Sequence, residues 1–166
     1  MKSTSSVVLL VFLLCTTVGL AESPAQKSFD ALKGLAGEWV GKDSLEHPVQ
    51  IRFRVTSGGS ALLSELVEPS RKEDMITVFH LDGNRLLLTH YCAEGNQPRM
   101  KATASPDGKT IIFDFVDATN LVPPKVGHMR RLVIRMPNPN HHTEEWTFVE
   151  NGKESKDLFD VHRTKS

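Results

Sequence analysis

The sequence predicts an all-β domain, an antiparallel up-and-down barrel of about ten strands with a short N-terminal helix. Three observations carry this expectation. From Glu38 onward apolar residues alternate with polar ones, the period of a strand with one buried face. Turn residues interrupt that alternation every 8 to 12 positions, and no second helical stretch of useful length intervenes. The turns themselves, above all Asp82-Gly83-Asn84, Asp107-Gly108 and Asn151-Gly152, are of the kind that closes consecutive hairpins.

Residues 1–21 read as a cleavable signal peptide. Lys2 gives a charged start, Val7 to Leu14 an apolar core, and Gly19-Leu20-Ala21 a small-residue cleavage site. The apolar run is shorter than the ~20 residues a membrane span needs, so no span is expected after cleavage, and the destination is periplasmic or extracellular. Lipidation at Cys15 is disfavoured by Leu14 before it and Glu22 soon after. Residues 22–27 read as a leader and residues 28–166 as one domain, within which Ser28 to Ala36 can form an amphipathic helix with Phe29, Leu32 and Leu35 on one face.

The strands follow in order. Glu38 to Asp43 is the first, and Val49 to Thr56 the second, alternating Val49, Ile51, Phe53 and Val55 against Gln50, Arg52 and Arg54. Gly58-Gly59 turns into Ala61 to Glu68, and the charged loop from Pro69 to Glu73 leads into the hairpin of Met75 to Leu81 with Arg85 to Cys92. Pro98 to Ser105 pairs with Thr110 to Asp117, and a longer loop from Ala118 to Gly127 contains Pro123-Pro124. His128 to Met136 is joined through Pro137 to Asn140 to His141 to Glu150, and Lys153 to Arg163 completes the set. Following strand direction sorts the loops into a closed end, with the helix, Trp39 and Arg163, and a mouth formed by the loops around Glu46, Arg71, Asn96 and Asn120.

A helix running into Gly37-Glu38-Trp39 and then an up-and-down barrel resembles the calycin group of lipocalins, fatty-acid-binding proteins and nitrobindins. The phrases HLDGNRLLLTHYCAEGNQPRM, FDFVDATNL and GHMRRLVI look more closely like a family of uncharacterised secreted bacterial proteins with a calycin-like domain of unknown function. The likeness covers nearly the whole mature chain. It implies a calycin-like barrel, with Trp39 packed at the closed end near Arg163, and brings no established chemistry.

Hairpin register converts the strands into faces. An Asp107-Gly108 turn puts Met100, Ala102 and Ala104 with Ile111, Phe113 and Phe115, leaving Lys101 opposite Asp114 outside. An Asn151-Gly152 turn puts Glu144, Trp146 and Phe148 with Ser155, Asp157, Phe159 and Val161, a face whose aromatics turn it inward. With Arg131 and Arg135 outside, His128, Arg130, Leu132 and Ile134 should point in. In the central hairpin Phe79, Leu86, Leu88 and His90 are the favoured inward set, although the face with Ile76, Val78, His80 and Tyr91 is nearly as apolar.

Charge excludes one partner class. The 20 basic and 20 acidic side chains balance, and loss of Lys2 with the signal leaves 19 against 20, with no basic stripe for nucleic acid. Cys92 becomes a lone thiol, so packing must hold the fold without an intrachain disulfide. Interior Arg130, Glu144 and Asp157, beside Trp146, must satisfy one another or meet a polar ligand, Arg130 being able to clamp an anion. His90 and His128 at the mouth suit a transition metal or haem, but their spacing is not that of a metal motif and no metal set is assigned. Cys92 beside His90 invites a nucleophile and base, while the usual role of such a cysteine is packing. Asn96, Gln97 and Asn120 can orient a ligand at the rim or cap loop backbone. His141-His142 belongs to a turn, and His47 and His162 to the surface.

The expected function is therefore binding of a small, partly apolar molecule in a barrel, the cofactor and the oligomeric state being open. Phe79, Leu88, Phe113, Phe115, Trp146 and Phe148 would be walls, with His90, His128 and Arg130 at a polar end. The alternatives are a haem- or metal-dependent protein or hydrolase-like enzyme using His90 and His128, and a structural barrel filled by its own side chains.

Overall fold

The computed structural model describes residues 22–69, 73–121 and 127–164. The first element is a helix, α1, Pro24–Lys33. It begins within the stretch expected to be a leader, and the cause is local: the Ser23 hydroxyl accepts a hydrogen bond from the Gln26 N–H at 3.1 Å, and Pro24 follows at the position where a missing N–H costs nothing. Gly34 ends the helix, earlier than Ala36. Phe29 and Leu32 are buried, as is Leu35 just beyond it.

Ten strands follow: β1 Gly37–Lys42, β2 Pro48–Thr56, β3 Ala61–Glu68, β4 Glu73–Asp82, β5 Arg85–Tyr91, β6 Gln97–Ala104, β7 Thr110–Thr119, β8 His128–Asn138, β9 His141–Glu150 and β10 Lys153–Arg163. Each pairs antiparallel with its neighbours in sequence, and β1 pairs with β10, so the sheet is a closed up-and-down barrel without a free edge. Among the described residues no helix is long and apolar enough to cross a membrane.

The turns fix the registers. Ala102 faces Phe113 and Lys101 faces Asp114 across β6 and β7, Asp157 faces Trp146 across β9 and β10, and Phe79 faces Leu88 across β4 and β5. Of the two faces open for the central hairpin, the buried one carries Phe79, Leu86, Leu88 and His90, while Ile76 and Tyr91 are exposed. Register shifts interrupt the ladder between Arg99 and Met100, between Met129 and Arg131, and between Arg135 and Asn138. The second shift matters for function, because an extra residue in one strand exchanges inside and outside beyond it.

The interior is filled unevenly. The connections from β2 to β3, β4 to β5, β6 to β7 and β8 to β9 share one end, which α1 crosses over β2, β4, β5 and β6. Phe53, Leu62, Phe79, Leu86, Ile111, Phe113 and Ile134 pack solidly there with Phe29 and Leu32. At the same end the Arg163 guanidinium lies 4.3 Å from the Trp39 ring centroid, the neighbourhood that the resemblance implied. Towards the other end the inward positions become polar: Glu68 on β3, Thr77 on β4, His90 on β5 and Glu144 on β9 are all buried.

Candidate functional site

A chain of contacts runs along the barrel axis from the packed end to the open one. The Trp39 indole N–H donates to the Leu35 carbonyl at 2.7 Å, and the His142 ring meets Trp39 edge-on with centroids 4.3 Å apart. His142 Nε2 lies 3.3 Å from one Glu144 oxygen, and the Trp146 indole N–H donates to the other at 3.1 Å. Trp146 packs on the His90 ring at 4.6 Å, and His90 Nδ1 lies 2.9 Å from the Thr77 hydroxyl. The buried carboxylate of Glu144 is thus held by two ring nitrogens, as a buried acid must be held by partners.

Beyond Trp146 the barrel contains space. A chamber of about 30 Å³ is bounded by Leu66, Glu68, Met75, His90, Met129, Trp146, Asp157 and Phe159. Met75, Met129, Trp146 and Asp157 also line a funnel of about 390 Å³, together with Leu45, Cys92 and Phe148. His90 Nε2 is buried without a hydrogen-bond partner. Burial lowers the His90 pKa to about 4, so the imidazole is neutral at neutral pH.

Carboxylates gather beside the chamber. Oxygens of Asp43, Glu68 and Asp157 lie within 4.8 Å of one another. Asp43 also organises the loop from β1 to β2, accepting the Leu45 and His47 backbone N–H groups at 2.8 Å each, with His47 Nδ1 at 2.9 Å. Burial pushes its pKa up, but the His47 side chain and these two N–H groups outweigh it and hold the carboxyl below its ordinary value. A second cluster, His141, Asp160 and His162, lies at the other end with its histidine rings stacked at 4.3 Å. A groove of about 630 Å³ separates α1 from β6 and the adjoining turns, but no residue lining it has a buried side-chain polar atom without a hydrogen bond.

The residues singled out from the sequence separate into groups. His90, Trp146 and Asp157 come together at the chamber, and Glu144 lies against Trp146. Asn96, Gln97 and Asn120 stitch loops: Asn96 donates to the Gly127 carbonyl at 2.7 Å, Gln97 and Asn120 donate to the Gly95 carbonyl at 3.2 and 2.7 Å, and Thr119 donates to Gln97 Oε1 at 2.5 Å. His128 packs at a tilt on Phe115, with centroids 4.6 Å apart, and borders neither the chamber nor the funnel, so it does not converge with His90 on one ligand position.

Arg130 differs most from expectation. Its side chain is 61% exposed and 3.9 Å from Glu154, because the shift between Met129 and Arg131 turns Met129 and Leu132 to the interior and Arg130 out. No anion clamp with Glu144 and Asp157 forms. Nor does a Cys92–His90 dyad, since Nδ1 of His90 belongs to Thr77 and Nε2 has no partner. His142, expected in a turn, is wholly buried between Trp39 and Phe53. Glu68, Asp43, Thr77, Met75 and Met129 join the site beyond the residues expected from the sequence. Glu68 was within reach, since Leu62, Ser64, Leu66 and Glu68 keep one parity along β3, and His142 shares parity with Glu144 and Trp146.

No protein-family model matches the chain, and no curated protein does. Among solved structures, Rv2717c from M. tuberculosis matches with a TM-score of 0.57 and 18% identity, over 86% of this chain and 99% of that one. At that identity the likeness speaks to fold alone, and the closed ten-stranded antiparallel barrel similar to Rv2717c fits a calycin-like barrel.

Proposed function

We propose that the protein is an exported small-ligand-binding barrel whose ligand enters the funnel at the end opposite α1. The observation that carries this reading is the uneven interior: one end is solidly packed, while the other keeps about 390 Å³ of funnel above a buried chamber. Leu45, Met75, Met129, Trp146 and Phe148 supply apolar walls, and Ser155, Lys156 and Asp157 a polar side. That composition suits a compact molecule with an apolar body and one polar end. The segment from Lys2 to Ala21 supports export, and the calycin-like barrel is compatible with an interior site.

N-phenyl-1-naphthylamine tests the reading directly, because its emission rises on transfer from water to an apolar pocket. The purified protein should enhance it saturably, and the bound dye should quench tryptophan emission, Trp146 being the tryptophan that lines the funnel. Met129→Trp, which fills the shared wall of funnel and chamber, should abolish the effect without lowering secondary structure. Equal enhancement by that variant, or none by the parent, contradicts the reading.

A further inference from the structure

The chamber beneath the funnel has a composition that an organic ligand does not explain. At about 30 Å³ it has room for one water-sized particle. A water there could meet His90, Glu68 and Asp157, but it would leave unused the two methionine sulfurs that line the same space and are only weak acceptors. The remaining walls include the Trp146 ring and His90 with its partnerless Nε2. We propose that the chamber binds a single soft monovalent metal ion, Cu(I) or Ag(I), through His90 Nε2 and the thioethers of Met75 and Met129, against Trp146.

Each feature answers a requirement of such an ion. Thioether sulfur selects soft metals, and imidazole accompanies it in copper sites. Thr77 holds Nδ1 at 2.9 Å, which orients the ring; in the tautomer with the proton on Nδ1, where the Thr77 hydroxyl accepts, the Nε2 lone pair faces the metal. The indole of Trp146 packs on the His90 ring at 4.6 Å and is the aromatic surface that best attracts a cation. The three donors are neutral, so the site keeps its positive charge, and Glu68 and Asp157 border the chamber to offset it. Met75, Met129 and Trp146 belong to the funnel as well, which gives the ion a route in.

The site does not depend on an organic ligand in the funnel, and its test uses the metal alone. Ag(I), which needs no reductant, is titrated into the protein carrying Cys92→Ser, with methionine methyls labelled with carbon-13 and observed by NMR. Met75 and Met129 resonances should shift together and saturate at one equivalent, Met100 and Met136 should stay in place, and Zn(II) should move none of them. Met75→Leu with Met129→Leu, a volume-conserving pair, should weaken Ag(I) by at least about 100-fold, and Thr77→Val by about 10-fold, the range for outer partners of metal ligands. Several results overturn the proposal: no shift of Met75 and Met129 once Cys92 is serine, equal shifts at all four methionines, the same shifts with Zn(II), or undiminished affinity in the leucine variant. Failure of the naphthylamine experiment leaves all of these readings intact.

Discussion

Glu144 shows how much of the interior depends on single side chains. Its two oxygens meet His142 Nε2 and the Trp146 N–H, and through these rings it links the Trp39 end to the chamber. Glu144→Leu keeps the volume but strands both ring nitrogens, and each buried group so left costs about 1–3 kcal/mol. Urea unfolding should show a loss of that order, while Glu144→Gln, which keeps one acceptor, should lose less. His90 gives a pH signature of definite sign. Its folded pKa, about 4, is below the ordinary 6.5, so the unfolded chain binds the extra proton first. The stability tied to neutral His90 is complete above pH 6.5 and is lost as pH falls towards 4, by about 3 kcal/mol at most. His90→Gln retains Glu68, Asp157 and Asp43, so the difference between the two acid unfolding profiles isolates this ring. An unchanged profile contradicts its desolvation.

At the scale of elements, legibility followed the period of the pattern. Asn151-Gly152 forms a two-residue turn, while the β6–β7 loop turns on Pro106-Asp107, the Gly108 N–H donating to the Ser105 carbonyl at 2.9 Å, and keeps the register of a two-residue turn at Asp107-Gly108, so counting gives the facing of Phe113, Trp146, Glu144 and Asp157. Counting does not give the shift between Met129 and Arg131, because a bulge leaves no necessary mark in composition, and one added residue moved Arg130 from the expected interior to solvent. The chamber was hidden for the same reason: Met129 enters it only through that bulge, while Met75 and Glu68 come from strands far away in sequence. The Pro139-Asn140 turn just before His141 suggests a loop position for His142, whereas its parity with Glu144 places it inward. Ser23-Pro24 carries the helix start within the stretch expected to be a leader. Ser23→Ala should therefore cost about 1 kcal/mol, the usual value of an N-cap hydroxyl, detectable as a lowered Tm; no change would show that α1 is held by Phe29 and Leu32 alone.

The whole molecule depends on one seam. A barrel avoids sheet edges only if its first and last strands meet, and here β1 and β10 pair over the short run from Trp39 opposite Arg163 to Lys42 opposite Asp160. Arg163 reinforces one end of the seam, donating to the carbonyls of Gly34 and Ala36 at 2.8 and 2.7 Å and to Pro139 at 3.1 Å while covering Trp39. Near the other end stands Gly41, opposite Val161, where a Cβ would lie 1.9 Å from the Asp160 carbonyl oxygen. The nearest atoms are backbone of Asp160 and Val161, with no side chain to move aside, so Gly41→Ala must separate the strands, at a cost of about 3 kcal/mol or more. The damage should start locally: in native-state hydrogen exchange, amides of β1 and β10 should lose protection before those of β5 to β7. The funnel should suffer with them, since Ser155, Lys156 and Asp157 on β10 form its polar side. If protection instead falls evenly around the barrel, the seam is no weaker than the other ladders, and opening would be a property of the cooperative fold rather than of β1 and β10.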